Sequence, residues 1–247
     1  MTAFKWLQGL AMIALTSVHV PSFAQFADEV EEGFDRQSEE EILRAESEIQ
    51  ALFGPDSIPH FRSVEDEYRV LQKYNHLDPK HWVPSNLLKE AVLYFDKNKS
   101  KFPNKAYLTI VDFKPRSDRY RFFLINMDTG KVERYRTTHG IGSDTDNDGR
   151  AERFGNENGS GKSSLGFVRT AEVYWGKYRR SVRLDGLSST NSNIRRRAIV
   201  FHGWDNVKEA PVIQGRSWGC ITLDWDIKDK VLDKVKEGSL MYVGLGK

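Results

Sequence analysis

Apolar positions change their spacing twice along this chain. Trp6 to Val20 is a mostly apolar run centred on Leu7, Leu10, Ala11, Met12, Ile13, Ala14 and Leu15. From Asp28 to Phe53 the background turns acidic, with Ile42, Ile49, Leu52 and Phe53 among the few apolar points, which predicts a helix with a thin apolar edge. Gly54-Pro55-Asp56 and Ile58-Pro59 break it. Phe61 to Trp82 predicts a second helical stretch, ended by Asp78-Pro79 and Val83-Pro84. A third helix is expected after Ser85 as N-cap, with Leu87, Leu88, Ala91, Val92 and Phe95 on one face.

From Ala106 the spacing shortens to that of strands. Ala106 to Asp112 and Tyr120 to Ile125 are rich in β-branched and aromatic residues. Met127-Asp128-Thr129-Gly130 is a turn, and Val132 to Thr138 returns as the second arm of a hairpin. Six glycines between 140 and 161 mark a long loop, and loops of that length inside a domain usually carry function or lack order. Leu165–Val173, Val182–Leu184, Ala198–Phe201 and Leu240–Val243 supply further strands. A last helix is expected from Asp226 as its cap, with Ile227, Val231 and Val235 on one face and Gly238 closing it. The pattern predicts a mainly β fold with flanking helices (α+β) from residue 86 to 247, preceded by an acidic helical arm over 25–85.

Charge and the N-terminus give the chain a location. Lys5, the apolar run and the small residues of Ser22-Phe23-Ala24 have the three-part layout of a secretory signal peptide over 1–24, too short to span a bilayer. Export to a periplasmic or cell-wall compartment is the expectation, with no membrane span after cleavage. Residues 25–60 hold 11 acidic residues against Arg36 and Arg44, while 61–247 hold 34 basic against 24 acidic. A basic domain favours anionic partners. Export argues against nucleic acid and for carboxylate-rich wall peptide, although basic residues also serve solubility alone.

Cys220 is the one cysteine in the chain. In an oxidising compartment a structural disulfide needs a second cysteine, so the thiol asks for another reason. It sits in Gly215-Arg216-Ser217-Trp218-Gly219-Cys220, 18 residues after the His202-Gly203 pair that ends an apolar run. A thiol with the ordinary pKa of ~8.5 needs activation at neutral pH, and an imidazole in reach can take its proton. His202 is the best placed histidine, delivered by Ala198-Ile199-Val200-Phe201. Gly219 permits a sharp turn before the nucleophile, so the Gly219 and Cys220 N–H groups can face an oxyanion. On this reading Cys220 is expected to ionise below the ordinary thiol value. The residues alone leave a second reading open, a small buried hydrophobe between Trp218 and Ile221.

These residues resemble the active-site signature of the L,D-transpeptidases of bacterial cell walls, the YkuD-type fold. The resemblance is to the murein L,D-transpeptidase branch, in which Trp replaces the histidine of Ser-His-Gly-Cys. Thr109–Phe113, His139-Gly140, Ser163–Phe167, Arg183–Leu187 and Arg197–Val200 also look like that branch, so the resemblance covers about residues 87–247 and leaves 25–80 without support. It implies a YkuD-like β-sandwich or barrel and a thioacyl enzyme on Cys220. That enzyme would form by attack on the bond to the terminal D-alanine of a stem tetrapeptide. An amine from a second stem then gives a 3→3 cross-link. It implies His202 as base and then acid, Gly219 with Gly203 and Ser217 as oxyanion and positioning residues, and no metal or organic cofactor. Arg216, Trp218 and His139 are the expected substrate contacts, Arg216 because its fork of donors matches a carboxylate. Water as acceptor would make the same intermediate an L,D-carboxypeptidase or endopeptidase. A wall-binding module with an inert thiol is the reading outside enzymology.

Two positions depart from the commoner pattern, Thr222 where an arginine stands two residues after the cysteine and Trp218 where a histidine stands. Other signals are weaker. Asp144-Thr145-Asp146-Asn147-Asp148-Gly149 imitates half a calcium loop, but the twelfth position is Gly155 rather than glutamate, which favours a polar turn. His139 either lines the groove or is a hydrogen-bonded structural residue. Arg195-Arg196-Arg197 predicts a solvated face. Tyr174, Trp175 and Tyr178 are either a sugar-stacking surface or hairpin packing.

Overall fold

Strict alternation along two adjacent strands sets the two sides of the main sheet. On β1 (Tyr107–Asp112), Leu108 and Ile110 face one apolar cluster while Val111 faces another. On its antiparallel neighbour β2 (Phe122–Asn126), Phe122 and Leu124 join the cluster of Val111, and Phe123 and Ile125 join that of Leu108. Period two is the geometry of a strand, and here both faces are buried. The structure, a computed structural model, describes residues 37–54, 59 and 63–247. The expected signal segment, the first part of the acidic helix, His60 and Phe61 lie outside the described residues.

The chain order is α1 (Glu39–Leu52), α2 (Val64–Gln72), α3 (Ser85–Asn98), β1, β2, β3 (Val132–Tyr135), β4 (His139–Gly140), β5 (Gly166–Gly176), β6 (Arg179–Gly186), β7 (Val200–Gly203), β8 (Arg216–Ser217), β9 (Ile221–Leu223), α4 (Trp225–Val235) and β10 (Leu240–Gly244). Eight strands form one sheet in the order β3-β2-β1-β10-β5-β6-β7-β9, and β4 pairs with β8 in a small second sheet. The sheet is a near-closed barrel with a few helices on it, a mostly β fold. Two pairings in the large sheet are parallel, β1 with β10 and β7 with β9. α3 covers one face through Leu87, Ala91, Val92 and Phe95, and α4 covers the other through Val231, Leu232 and Val235.

Several boundaries differ from the expectation for local reasons. α2 stops at Gln72 rather than running to Trp82: residues 73–76 turn instead, and Asp78 and His81 adopt positive φ. The Asp78 carboxylate instead accepts the N–H groups of Trp82 and Val83 at 3.0 and 2.8 Å. Ser85 is the first helical residue of α3, and Pro84 holds the N-cap position. α4 is capped by Asp224, two residues before the expected Asp226, whose N–H the Asp224 side chain accepts. α1 begins with a full capping box of Ser38 and Glu41 and buries no residue of its own. It is held by charge: Arg196 donates to Glu39 at 2.5 Å and to Glu46 at 2.9 Å. Phe53, just past its end, is buried against Phe102 with ring centroids 5.1 Å apart.

Phe201 is fully buried on β7, stacked 5.9 Å from Phe122. Phe201→Ala is therefore expected to cost about 3–5 kcal/mol in urea unfolding. Leu43→Ala, on the exposed face of α1, should stay within about 0.5 kcal/mol.

Candidate active site

β7 and β9 run parallel, with Phe201 opposite Ile221, His202 opposite Thr222 and Gly203 opposite Leu223. Phe201, Ile221 and Leu223 enter the apolar core. By the strand period, Val200, His202 and Thr222 face the other way, and Cys220, next before β9, falls on their side. The sequence brings this about with one glycine. Gly219 has φ +110°, and a Cβ there would lie 2.6 Å from the Lys162 carbonyl oxygen, so both the turn and the close approach of the neighbouring loop need glycine.

The imidazole is oriented from two sides. Its Nδ1 lies 2.8 Å from the Gly203 carbonyl oxygen, so Nδ1–H donates and Nε2 keeps its lone pair. The Tyr178 ring, at the tip of the β5–β6 hairpin, stacks on it at 4.0 Å and 22°. Trp225 packs so close to the neighbouring Gly203 that a Cβ there would meet its ring at 2.3 Å. Burial pushes the His202 pKa down to about 4, with the Lys228 charge adding to the effect against the Gly203 bond.

The thiol of Cys220 donates to the Ala198 carbonyl at 3.9 Å. Burial pushes it up to about 11, opposed by the Val200 backbone and the Arg197 charge. The expectation of a thiol below its ordinary value is thus corrected: at rest His202 and Cys220 are both neutral, because burial disfavours their charged forms.

Ser217 ties the turn together, its hydroxyl donating to the Cys220 carbonyl at 2.8 Å and accepting the Gly219 N–H at 3.1 Å. The Gly219 N–H, expected to face an oxyanion, is engaged inside the turn. Arg216 and Ser217 pair through β8 with His139 and Gly140 of β4. One Arg216 nitrogen donates to the Asp144 carbonyl. Trp218 is part-buried beside Gly161. Thr222, in the position of the missing arginine, is fully buried and shares a 2.7 Å hydrogen bond with Thr138.

His139 is fully buried and reaches no groove surface in this structure. Arg121 donates to its Nδ1 at 2.9 Å, so its proton lies on Nε2, which donates to Asp144 at 3.1 Å. Burial and the Arg121 charge push His139 down to about 4. Arg121, itself wholly buried, is lowered to about 9 by the same loss of water. Burial acts to raise Asp144, yet the bonds from His139 and the Gly149 N–H hold it below its ordinary value. The Asp144, Asp146 and Asp148 carboxylates come within 4.8 Å of one another, and Asp144 already accepts the N–H groups of Asp148 and Gly149.

The sequence reading missed Arg121 and Asp144 as a buried pair around His139. A basic residue inside the strand pattern just before Phe122 is the one signal that marked Arg121. Arg195, Arg196 and Arg197 are not a solvated face, since each is engaged by a different part of the fold.

The family model of the L,D-transpeptidase catalytic domain matches residues 79–243. No curated protein matches. Among solved structures, an L,D-transpeptidase from Mycobacterium smegmatis is similar at 15% identity and TM-score 0.36, over 56% of this chain and 58% of that one. An L,D-transpeptidase from Mycobacterium tuberculosis matches at 12% identity and TM-score 0.36, over 56% and 57%. One from Stackebrandtia nassauensis matches at 14% identity and TM-score 0.34, over 87% and 96%. The chain thus spans less than two thirds of the two mycobacterial proteins, and at TM-scores below 0.5 the family match alone carries weight. Among the described residues, no helix is long and apolar enough to cross a membrane.

The two lowered histidines give a pH dependence with a definite sign. Each is neutral when folded and takes up a proton near pH 6.5 when unfolded. Their stabilisation is complete above that value and is lost as pH falls toward about 4. Urea unfolding should show stability falling by about 1 kcal/mol per pH unit per histidine between roughly pH 6.5 and 5, steepening toward the lower end. A flat profile over that window would contradict the buried, neutral state of both rings.

Proposed function

Because the chain belongs to the L,D-transpeptidase catalytic domain family, we propose that it cross-links peptidoglycan stem peptides through a thioacyl enzyme on Cys220. The observation that supports this most is the shared face of β7 and β9. It carries a thiol and an imidazole whose tautomer leaves Nε2 free to accept a proton.

In the first half-reaction Sγ attacks the carbonyl carbon of the bond to the terminal D-alanine, and the thiol proton passes to His202 Nε2. At rest the thiol points at Ala198, so a turn about its Cα–Cβ bond precedes transfer; catalytic hydrogen bonds commonly tighten only with substrate bound. The neutral resting pair fits proton transfer concerted with attack, without a standing thiolate. The Cys220 N–H faces the developing oxyanion, and Ser217 holds the turn that aims it. The C–N bond then breaks, His202 returns the proton to the leaving amine, and D-alanine departs.

In the second half-reaction an amine of another stem attacks the thioester carbonyl, giving a 3→3 link and restoring the thiol. His202 takes the amine proton and passes it to the departing sulfur. Gly203 sets the imidazole, and Arg216 and Trp218 bind the donor stem. His139 acts from behind, fixing β4 under β8. The setting is the cell-wall compartment outside the cytoplasmic membrane, which the signal-like N-terminus also favours. No cofactor is needed for this chemistry.

The test is turnover of purified tetrapeptide muropeptides, with products separated by chromatography. Cys220→Ala should abolish product without unfolding, and His202→Ala should cost at least ~100-fold in rate. Dimeric product identifies an amine acceptor, and tripeptide without dimer identifies water and overturns the transpeptidase assignment. Near-normal turnover in either variant would refute the dyad.

A further inference from the structure

The run Arg195-Arg196-Arg197 divides three ways. Arg195 binds Asp185 at 2.6 Å and Glu172 at 2.8 Å, both in the sheet, and Gln37 at 2.7 Å. Arg196 holds α1 through Glu39 and Glu46. Arg197 turns to the long loop and donates to the Gly155 carbonyl at 2.9 Å, Ser164 Oγ at 2.6 Å, Ser160 Oγ at 3.3 Å and the Lys162 carbonyl at 2.6 Å. Four hydrogen bonds from one half-buried guanidinium, two of them to main-chain carbonyls, hold that loop in place.

One of these contacts, and the chain itself, lead to Cys220. The Lys162 carbonyl is the group pressed against Gly219, 2.6 Å from where a Cβ would stand. Ala198, the residue after Arg197, has φ +49° and presents the carbonyl that receives the Cys220 thiol. Arg197 therefore borders the Gly219–Cys220 turn through the loop on one side and through its own main chain on the other. Of the titratable groups around the sulfur, His202 and Tyr178 are neutral at rest, and Lys228 lies behind His202 and disfavours its charge. Burial holds the Arg197 guanidinium below its ordinary pKa, opposed by the sulfur and by Glu157 on the loop, and the Arg197 charge in turn opposes the burial that raises the thiol.

We propose that Arg197 is a positioning residue for Cys220. Its fork fixes the 155–164 loop against the Gly219 turn, and its charge supports negative charge on the sulfur as the thiol gives up its proton. The inference deepens the thioacyl reading and rests on it for its catalytic meaning. It makes this arginine, rather than one after the cysteine, the cation of the site, which is consistent with Thr222 being buried and uncharged.

The test needs no wall peptide, so its failure and the failure of the transpeptidase assignment are separable. Cys220 is the single thiol in the full chain, and its alkylation by iodoacetamide at pH 9 reads thiolate population. Arg197→Gln should slow alkylation about tenfold, equivalent to one unit in thiol pKa. Because loss of the fork also loosens the loop and raises access, the pH profile is read beside the rate: its midpoint should rise by about one unit, and an unchanged or lower midpoint overturns the proposal. Arg197→Lys decides independently should the glutamine variant not fold. With the charge kept and the fork lost, alkylation should stay within about threefold of the wild-type rate. Hydrogen exchange at the Gly142 and Gly155 amides, bonded to Gly161 and Ser163, should accelerate in the same variant. Unchanged exchange, or an alkylation rate as low as that expected of glutamine, would overturn it.

Discussion

Everything at this site depends on the parallel pairing of β7 with β9. A parallel pair cannot be joined by a tight turn, so the chain leaves Gly203, crosses through residues 204–220 and re-enters the sheet at Ile221. The pairing fixes which side chains share a face. Since Phe201, Ile221 and Leu223 belong to the apolar core, a one-residue slip would exchange His202 with a core residue. The hydrophobic pattern therefore specifies the positions of His202 and Cys220 as firmly as it specifies the core.

The same burial that fixes His202 and Cys220 also keeps both uncharged. In a dry setting the uncharged forms win, with the thiol raised to about 11 and the imidazole lowered to about 4. On the proposed reading, charge on the sulfur arises only as a bond forms; the Val200 backbone and the Arg197 charge are the groups that favour it. A second buried assembly holds the frame from the other side. Arg121, His139 and Asp144 form a chain of directed hydrogen bonds beneath β4, and β4 carries β8 and hence the turn before Cys220. Such a chain stabilises when complete and is costly when one member is removed. Its neutral histidine and ionised aspartate put part of the fold's stability under pH control.

Much of this was legible in the residues, for identifiable reasons. β1, β2 and β10 announce themselves because both faces of each are buried and rich in β-branched and aromatic side chains. Cys220 and His202 stood out because a lone thiol beside glycine, after a histidine-glycine pair, has few structural uses. What was not legible involved contacts far apart in sequence. β9 is three residues long, and β4 and β8 are two each, too short for any period to register. Asp224 and Asp226 are equal candidates for one cap until the backbone decides. The arginine run read as a solvated face because charge runs usually are; a reversal at Ala198 sends the last of them inward instead. His139 allowed two readings, and burial between Arg121 and Asp144 supports the structural one.

The most direct test of the central claim, that the buried thiol of Cys220 carries the acyl group, is intact-protein mass spectrometry after brief mixing with a purified stem tetrapeptide. The account predicts one adduct per chain, of the mass of the donor less D-alanine, mapped to Cys220 and absent from Cys220→Ala. D-alanine released with no adduct on Cys220, or an adduct that survives Cys220→Ala, would contradict it.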